Sequence, residues 1–263
     1  MALISSPQNR QLKLYRSLEK RKYREELGLI PLEGQRIVGD VIKRGIFPEF
    51  ILLRADIALS QLPFSGLLPA DTVVYSVENK IFDRIAFTKT PQGVLAVCKR
   101  PRLPLSAVFA KKPAFILVAD SIQDPGNLGT MIRSAAAAGA GGVVLLPGTV
   151  DATNPKAMRA SVGAYFALPV VEATFAELQQ ALQLHGIDLV LADKSAALDY
   201  NDFDWTQPVA VVIGNEGSGI SQKVKEAATT MVMIPMQQAV ESLNAAIAMS
   251  VLFFEASRQR RLQ

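Results

Sequence analysis

Residues 211–221 read VVIGNEGSGIS. Two valines and an isoleucine run into a turn that holds three glycines and one glutamate. Glycine takes positive φ and has no Cβ, so an apolar strand that ends this way brings its backbone close to whatever it binds. The ligand does not read as phosphate. No Gly-Lys-Ser/Thr follows, as a P-loop requires. The G-x-x-G-x-G spacing, late in the chain, is not the dinucleotide fingerprint. Glu216 would repel phosphate; it suits a cation, a donor group or a neighbouring arginine. The bland alternative is a tight turn with Glu216 in solvent.

Outward from that turn, the second half alternates between strand and helix. AFILVAD (114–120), GVVLLP (142–147), LPVVEA (168–173), IDLVLAD (187–193), VAVVIG (209–214) and MVMIP (231–235) read as strands. Helical patterns separate them: NLGTMIRSAAAAG (127–139), NPKAMRASVGAYF (154–166), FAELQQALQLHG (175–186) and a long final helix over 242–258. Strands alternating with helices predict an α/β fold whose parallel sheet is covered on both faces. Ligands of such sheets bind beyond the carboxyl ends of the strands.

The first half differs in charge. Residues 1–112 carry 19 Lys/Arg against 10 Asp/Glu, and the remainder 9 against 14, so the halves are near +9 and −5. One half suited to a polyanion is one reading; a solvated basic face is the other. The stretch SPQNRQLKLYRSLEKRKYREELG (6–28) reads as a basic helix with Leu12, Tyr15 and Leu18 at helical spacing. A small α/β module follows it. We divide the chain into 1–100, a proline-punctuated linker 101–113, and 114–263. Nearly half of the 263 residues are hydrophobic, ample for packed cores. No apolar run reaches the roughly 18–20 residues of a membrane span, and 1–11 has no signal-peptide core. The single cysteine, Cys98, excludes an internal disulfide and a cysteine-cluster zinc site. The chain reads as soluble and cytoplasmic, without a metal.

Two more turns follow strands and carry polar residues that a turn does not need. In SIQDPGNLGTMIRSAAAAG (121–139), Asn127 stands where a helix N-cap belongs, and Arg133 is the only charge between Asp124 and Asp151. In IPMQQAVESLN (234–244), Ser242 or Asn244 is placed to cap the last helix. Each signal is weak alone. His185 reads as a cap or surface residue and Cys98 as buried. Met249, Phe253 and Phe254 supply apolar surface, for an interface or for the core.

Together and in this order, DPGNLGTMIRSAAAAG, VVIGNEGSGIS and IPMQQAVESLN resemble the three motifs of the TrmH/SpoU family of the SPOUT superfamily of RNA methyltransferases. The resemblance covers the second half. KRKYREELGLIPLEGQRIVGDVIKRG (20–45) is similar to the opening of the substrate-binding domain that precedes it in ribosomal-RNA members. The resemblance implies methyl transfer from S-adenosylmethionine (AdoMet) to a ribose 2′-hydroxyl, by a homodimer. It also implies a catalytic domain with a parallel sheet and a deep trefoil knot, plus a small N-terminal α/β RNA-binding domain. By motif position the catalytic residues are Asn127, Arg133, Glu216, Ser242 and Asn244. Gly214, Ile234 and Leu243 would hold AdoMet. Arg10, Lys13, Arg16, Lys20, Arg21, Lys22 and Arg24 would hold RNA phosphates, with Tyr15 and Tyr23 as stacking candidates or helix packing. Large-subunit ribosomal RNA is favoured over transfer RNA because of the separate first domain. Two departures stand out. Gln238 replaces the usual glycine of the third motif, and Ala245-Ala246 follows Leu-Asn. A catalytically silent RNA-binding protein of the same fold is the competing reading; a doubly wound dehydrogenase lacks its glycine spacing.

Overall fold

The computed structural model describes residues 2–237 and 242–262. Gln238 therefore lies outside the described residues. The chain divides into two units, Met1–Pro101 with Thr153–Phe166, and Arg102–Ala152 with Ala167–Gln263.

The first unit runs β1 (Ala2–Ile4), α1 (Arg10–Ser17), α2 (Arg21–Leu27), β2 (Leu29–Glu33), α3 (Gln35–Lys43), β3 (Phe50–Arg54), β4 (Val74–Val77), α4 (Asn79–Ile85) and β5 (Val94–Lys99). Its five strands lie in the order β1-β4-β3-β5-β2. The pairs β1/β4 and β3/β4 are parallel, and β3/β5 and β2/β5 are antiparallel. Leu12, Tyr15 and Leu18, three residues apart, fall on one helical face and bury against Leu52, Phe82 and Leu95. Tyr15 stacks on Phe87 at 5.0 Å and donates its hydroxyl to Leu32 O at 3.4 Å. Burial, and after it the Glu33 carboxylate, holds that phenol well above its usual range. Tyr15 is therefore core, whereas Tyr23 is exposed.

The basic stretch is two helices rather than one, and Arg24 is the reason. Its side chain is only 1% exposed. One guanidinium nitrogen donates to Leu18 O (2.7 Å) and Glu19 O (2.6 Å), and Nε donates to Thr153 Oγ1 at 3.0 Å. Carbonyls held that way mark the break between α1 and α2. Arg24 thus leaves the set of expected RNA contacts: it is a structural clamp. Arg10, Lys13, Arg16, Lys20, Arg21 and Lys22 are exposed. Arg24→Ala should lower unfolding stability by roughly 2–4 kcal/mol, because a charged donor and its buried acceptors part company. Chemical denaturation of the variant checks this.

The second unit contains β6 (Phe115–Ala119), α5 (Pro125–Ala138), β7 (Gly142–Leu145), β8 (Val170–Glu172), α7 (Phe175–His185), β9 (Asp188–Ala192), β10 (Leu198–Asp199), β11 (Val209–Ile213), α8 (Gln222–Glu226), β12 (Thr230–Met233) and α9 (Ala245–Arg261). The intervening α6 (Pro155–Ser161) groups with the first unit. The seven strands lie in the order β10-β12-β9-β11-β6-β7-β8, and every pair is parallel. Each residue of β6 and of β11 is buried, as expected of strands covered on both faces. Alternate residues serve opposite layers. Ile116, Val118, Ala210 and Val212 join the cluster of Leu178 and Leu182 from α7 and Val224 from α8. On the other layer, Phe115 meets Phe253 of α9 with ring centroids 4.4 Å apart.

One expectation changes here. Part of 101–113 is core rather than connector. Leu105–Phe109 forms a 3-10 turn whose Val108 and Phe109 are buried with the sheet. It rides so close over β7 that a Cβ on Gly142 would lie 2.7 Å from Val108. Met249 and Phe253 are fully buried within the chain, while Phe254 is exposed. Arg260 fastens α9 to the sheet end, donating to Trp205 O (2.7 Å) and Gln207 O (2.6 Å). His185 ends α7, with its ring 4.8 Å from Phe109. Cys98 is buried, which pushes its thiol up to about 12. No helix among the described residues is long and apolar enough to cross a membrane.

Candidate active site

The strand order reverses between β6 and β11, because the chain leaves β6 for β7 and β8 and later inserts β11 on the other side. Such a switch opens a crevice at the carboxyl ends of the strands. The loops after β6 and β11 meet at this crevice.

Asp124, not Asn127, caps α5: its carboxylate accepts from Asn127 N at 2.8 Å, and Pro125 fills the first helical position. Asn127 is therefore inside the first turn, with its side chain free to act elsewhere. Its Nδ2 donates to Glu216 Oε1 at 2.8 Å, and its Oδ1 accepts from Asn244 Nδ2 at 3.0 Å. Asn244 does cap α9, its Oδ1 accepting from Ala246 N (2.9 Å) and Ile247 N (3.3 Å). Glu216 Oε2 accepts from Gln123 N at 3.3 Å. A carboxylate can only accept, so it orients the Asn127 amide, which in turn orients that of Asn244. Three residues from three distant motifs thus form one hydrogen-bonded chain.

Partial burial would raise the Glu216 carboxyl. The hydrogen bonds from the Asn127 side chain and the nearby backbone N–H groups outweigh it and hold the group below its ordinary range. A depressed carboxyl adds stability above its unfolded value, near 4.5, and loses it as pH falls through the folded value. The stability gap between the protein and Glu216→Gln should therefore stay constant above about pH 5 and close in stronger acid. Thermal melts across that range check it.

The Gly214–Ser221 turn is held by residues the sequence reading did not single out. Asn215 and Gly219 pair backbone to backbone at 2.9 and 3.0 Å. Asn215 Oδ1 accepts from Gly217 N and Ser218 N at 2.9 Å, and its Nδ2 donates to Ser121 O at 2.8 Å. Asp120, 3% exposed at the end of β6, accepts from Ser221 N at 2.7 Å. A buried aspartate straight after an apolar strand is the signal that could have found it. Gly214 sits where the turn folds back: a Cβ there would meet Ile220 N at 2.4 Å and Gly219 C at 2.5 Å.

The remaining candidates are dispersed. Ile234 follows β12 and Leu243 precedes α9; both are half-buried. Ser242 is exposed, and no hydrogen bond joins it to the Asn127 chain among the described residues. Arg133 is exposed with Thr130 and Ala137, and among the described residues it makes no ion pair. Six residues past Asn127, it lies about 120° around the helix from it. Ser134, in contrast, faces α9 and receives the Ser250 hydroxyl at 2.8 Å. Among the described residues there is no group of three His, Cys, Asp or Glu able to hold a metal. The segments 214–221 and 234–237 contain no lysine or arginine. Without a cationic side chain these segments do not favour a phosphate.

Comparison with known proteins identifies the family. Residues 114–254 match the SpoU rRNA Methylase family, and residues 9–96 match the MRM3-like substrate binding domain. The chain is 31% identical over 254 residues to the Bacillus subtilis 23S rRNA (guanosine(2553)-2′-O)-methyltransferase RlmP, covering 97% of this chain and 98% of that one. It is 30% identical to human mitochondrial rRNA methyltransferase 3, over 93% of this chain and 71% of that one. Among solved structures, the SpoU methyltransferase AviRb from Streptomyces viridochromogenes, in complex with AdoMet, superposes with a TM-score of 0.88 at 29% identity, over 97% of this chain and 99% of that one. On the family match and the full-length relatives, this chain belongs to the SpoU rRNA methylase family.

Proposed function

We propose that this chain methylates a ribose 2′-hydroxyl of ribosomal RNA, with AdoMet as the donor. The observation that carries the reading is the Asn244–Asn127–Glu216 chain, which joins the three motif loops at the switch point of the sheet. A full-length relative that is a 23S rRNA 2′-O-methyltransferase, and the AdoMet-bound structural neighbour, support the substrate and donor. They favour ribosomal over transfer RNA and an active enzyme over a silent binder.

Gly214, Ile234 and Leu243 would hold AdoMet, largely through backbone. Bound there, AdoMet would supply an electrophilic sulfonium methyl for the ribose 2′-oxygen, its own sulfur being left as a thioether and the hydroxyl proton being lost. The protein's part is orientation and charge. Arg133, exposed on α5 and without an ion pair among the described residues, would hold the phosphate beside the target ribose. A guanidinium is a lasting cation rather than a base, so the proton leaves to that phosphate or to water. Asn127 and Glu216 would position the ribose, while Ser242 and Asn244 would fix the third loop. The exposed basic residues of α1 and α2 would hold RNA phosphates, with affinity that falls as salt rises.

The finer fold assignments belong to the same proposal. A deep trefoil knot is supported by the path of the chain, which goes from β12, beyond β9, back to α9 packed along α5 next to β6. A homodimer is supported by exposed Ile247 and Phe254 on α9. Action in the cytoplasm is supported by the bacterial relative. Isothermal titration of AdoMet into the purified chain without RNA tests the donor site. Saturable binding at one site per chain, or per half of a dimer, is expected despite Gln238. No binding to millimolar AdoMet, alone or with ribosomal RNA, would exclude the enzyme.

A further inference from the structure

We infer that the first unit holds a second nucleic-acid site, a pocket for one RNA backbone phosphate built around Arg36 and Arg159. The inference rests on RNA being the substrate, but it is independent of the exposed basic residues of α1 and α2. The pocket has a volume of about 280 Å³ and lies where β2 passes into α3.

Its wall sorts into spent acceptors and available donors. Glu33 lines it, yet its carboxylate is already engaged by Phe87 N at 2.8 Å, Thr88 N at 3.1 Å and the Thr88 hydroxyl. Gln92 Oε1 accepts from Gln35 N at 3.2 Å. Arg159 is different. It arrives on α6, from the sequence between the first two motifs, and its Nη1 is buried without a hydrogen-bond partner among the described residues. A buried, unpaired guanidinium N–H is costly, and an anionic oxygen is the acceptor that satisfies it best. Arg36, exposed at the mouth, supplies a second guanidinium. Two such forks match phosphate geometry, which a lone lysine does not. Exposed Thr90 adds a hydroxyl.

Gly34 completes the wall. It is buried with φ +111°, and a Cβ there would lie 2.9 Å from Gln92 Oε1. It caps α3 without a side chain, so the positive end of that helix opens on the same wall. The pocket exceeds what one phosphate ion fills, leaving room for the sugar attached to it. That favours a phosphodiester of the RNA chain over free phosphate.

The test uses the full chain and large-subunit ribosomal RNA made by transcription, with Kd measured across a potassium chloride series. In Arg36→Ala with Arg159→Gln, Kd at 150 mM salt should rise about tenfold, and the log–log salt slope should fall by roughly one, as for one lost phosphate contact. Melting temperature and AdoMet affinity should match the parent. Should Arg159→Gln fail to fold, Arg36→Ala with Thr90→Val reads the same pocket from its mouth, with about half the shift in log Kd. Variants that bind RNA with the parent's affinity and slope overturn the pocket alone. Were inorganic phosphate then to stabilise the parent and not the variants, the ligand would be free phosphate and the RNA assignment would fall. A parent chain that binds no ribosomal RNA overturns both the pocket and the substrate reading.

Discussion

Arg133→Ala should bind AdoMet as the unaltered chain does and lose methyl transfer by about a hundredfold to a thousandfold, the range for removing one charged or hydrogen-bonding group that acts in the transition state. The separation of the two effects is what the structure adds. Arg133 lies on the exposed stripe of α5 with Thr130 and Ala137, and it supports no loop and no ion pair among the described residues. Its loss should not disturb Asn127, which is held from both sides by Glu216 and Asn244. Arg133→Lys keeps the charge but not the planar fork, so it should recover only part of the rate. Single-turnover methylation and calorimetry of the same preparations check the pair of effects. Parallel loss of binding and rate would mean that Arg133 builds the donor site.

Gly214→Ala should do the reverse. A methyl group there meets the backbone of Gly219 and Ile220 at 2.4–2.6 Å, and backbone, unlike a long side chain, has little freedom to give way. The turn must open, which pulls against the Asn215–Gly219 pairing and the Asp120 bond to Ser221 N. The expected result is a cost of about 2–3 kcal/mol in stability and at least a tenfold weaker AdoMet affinity, with RNA affinity unchanged. Thermal melts, calorimetry and RNA titration separate the three. A variant with full AdoMet affinity would show that the tight turn plays no part in the donor site.

Most of the fold could be read from its patterns, since β6 and β11 are unbroken apolar runs and the helical pattern of α5 stops at Gly139. What stayed hidden depended on partners. Ala2–Ile4 and Leu198–Asp199 are too short to carry a pattern and become strands only by pairing with β4 and β12. Arg24 looked like its basic neighbours, because charge alone does not say which carbonyls a side chain will find. Residues 154–166 follow β7 in sequence but group with the first unit. At the site, motif order brought out Asn127, Glu216 and Asn244, which the fold links directly. It could not bring out Asn215 or Asp120, whose roles are hydrogen bonds to a turn rather than to a ligand. Asn127 was misread as a cap because Asp124, one residue before the proline, fills that position.

Ribose methylation is tested most directly by the position of the transferred methyl. Methyl-labelled AdoMet should be incubated with the chain and unmodified large-subunit ribosomal RNA, and the RNA then hydrolysed in alkali. Alkaline cleavage needs a free 2′-hydroxyl, so a ribose product survives as a labelled dinucleotide with one resistant bond. The label is expected in that dinucleotide, and it should be lost in Arg133→Ala. Label released in mononucleotides would place the methyl on a base and contradict ribose methylation.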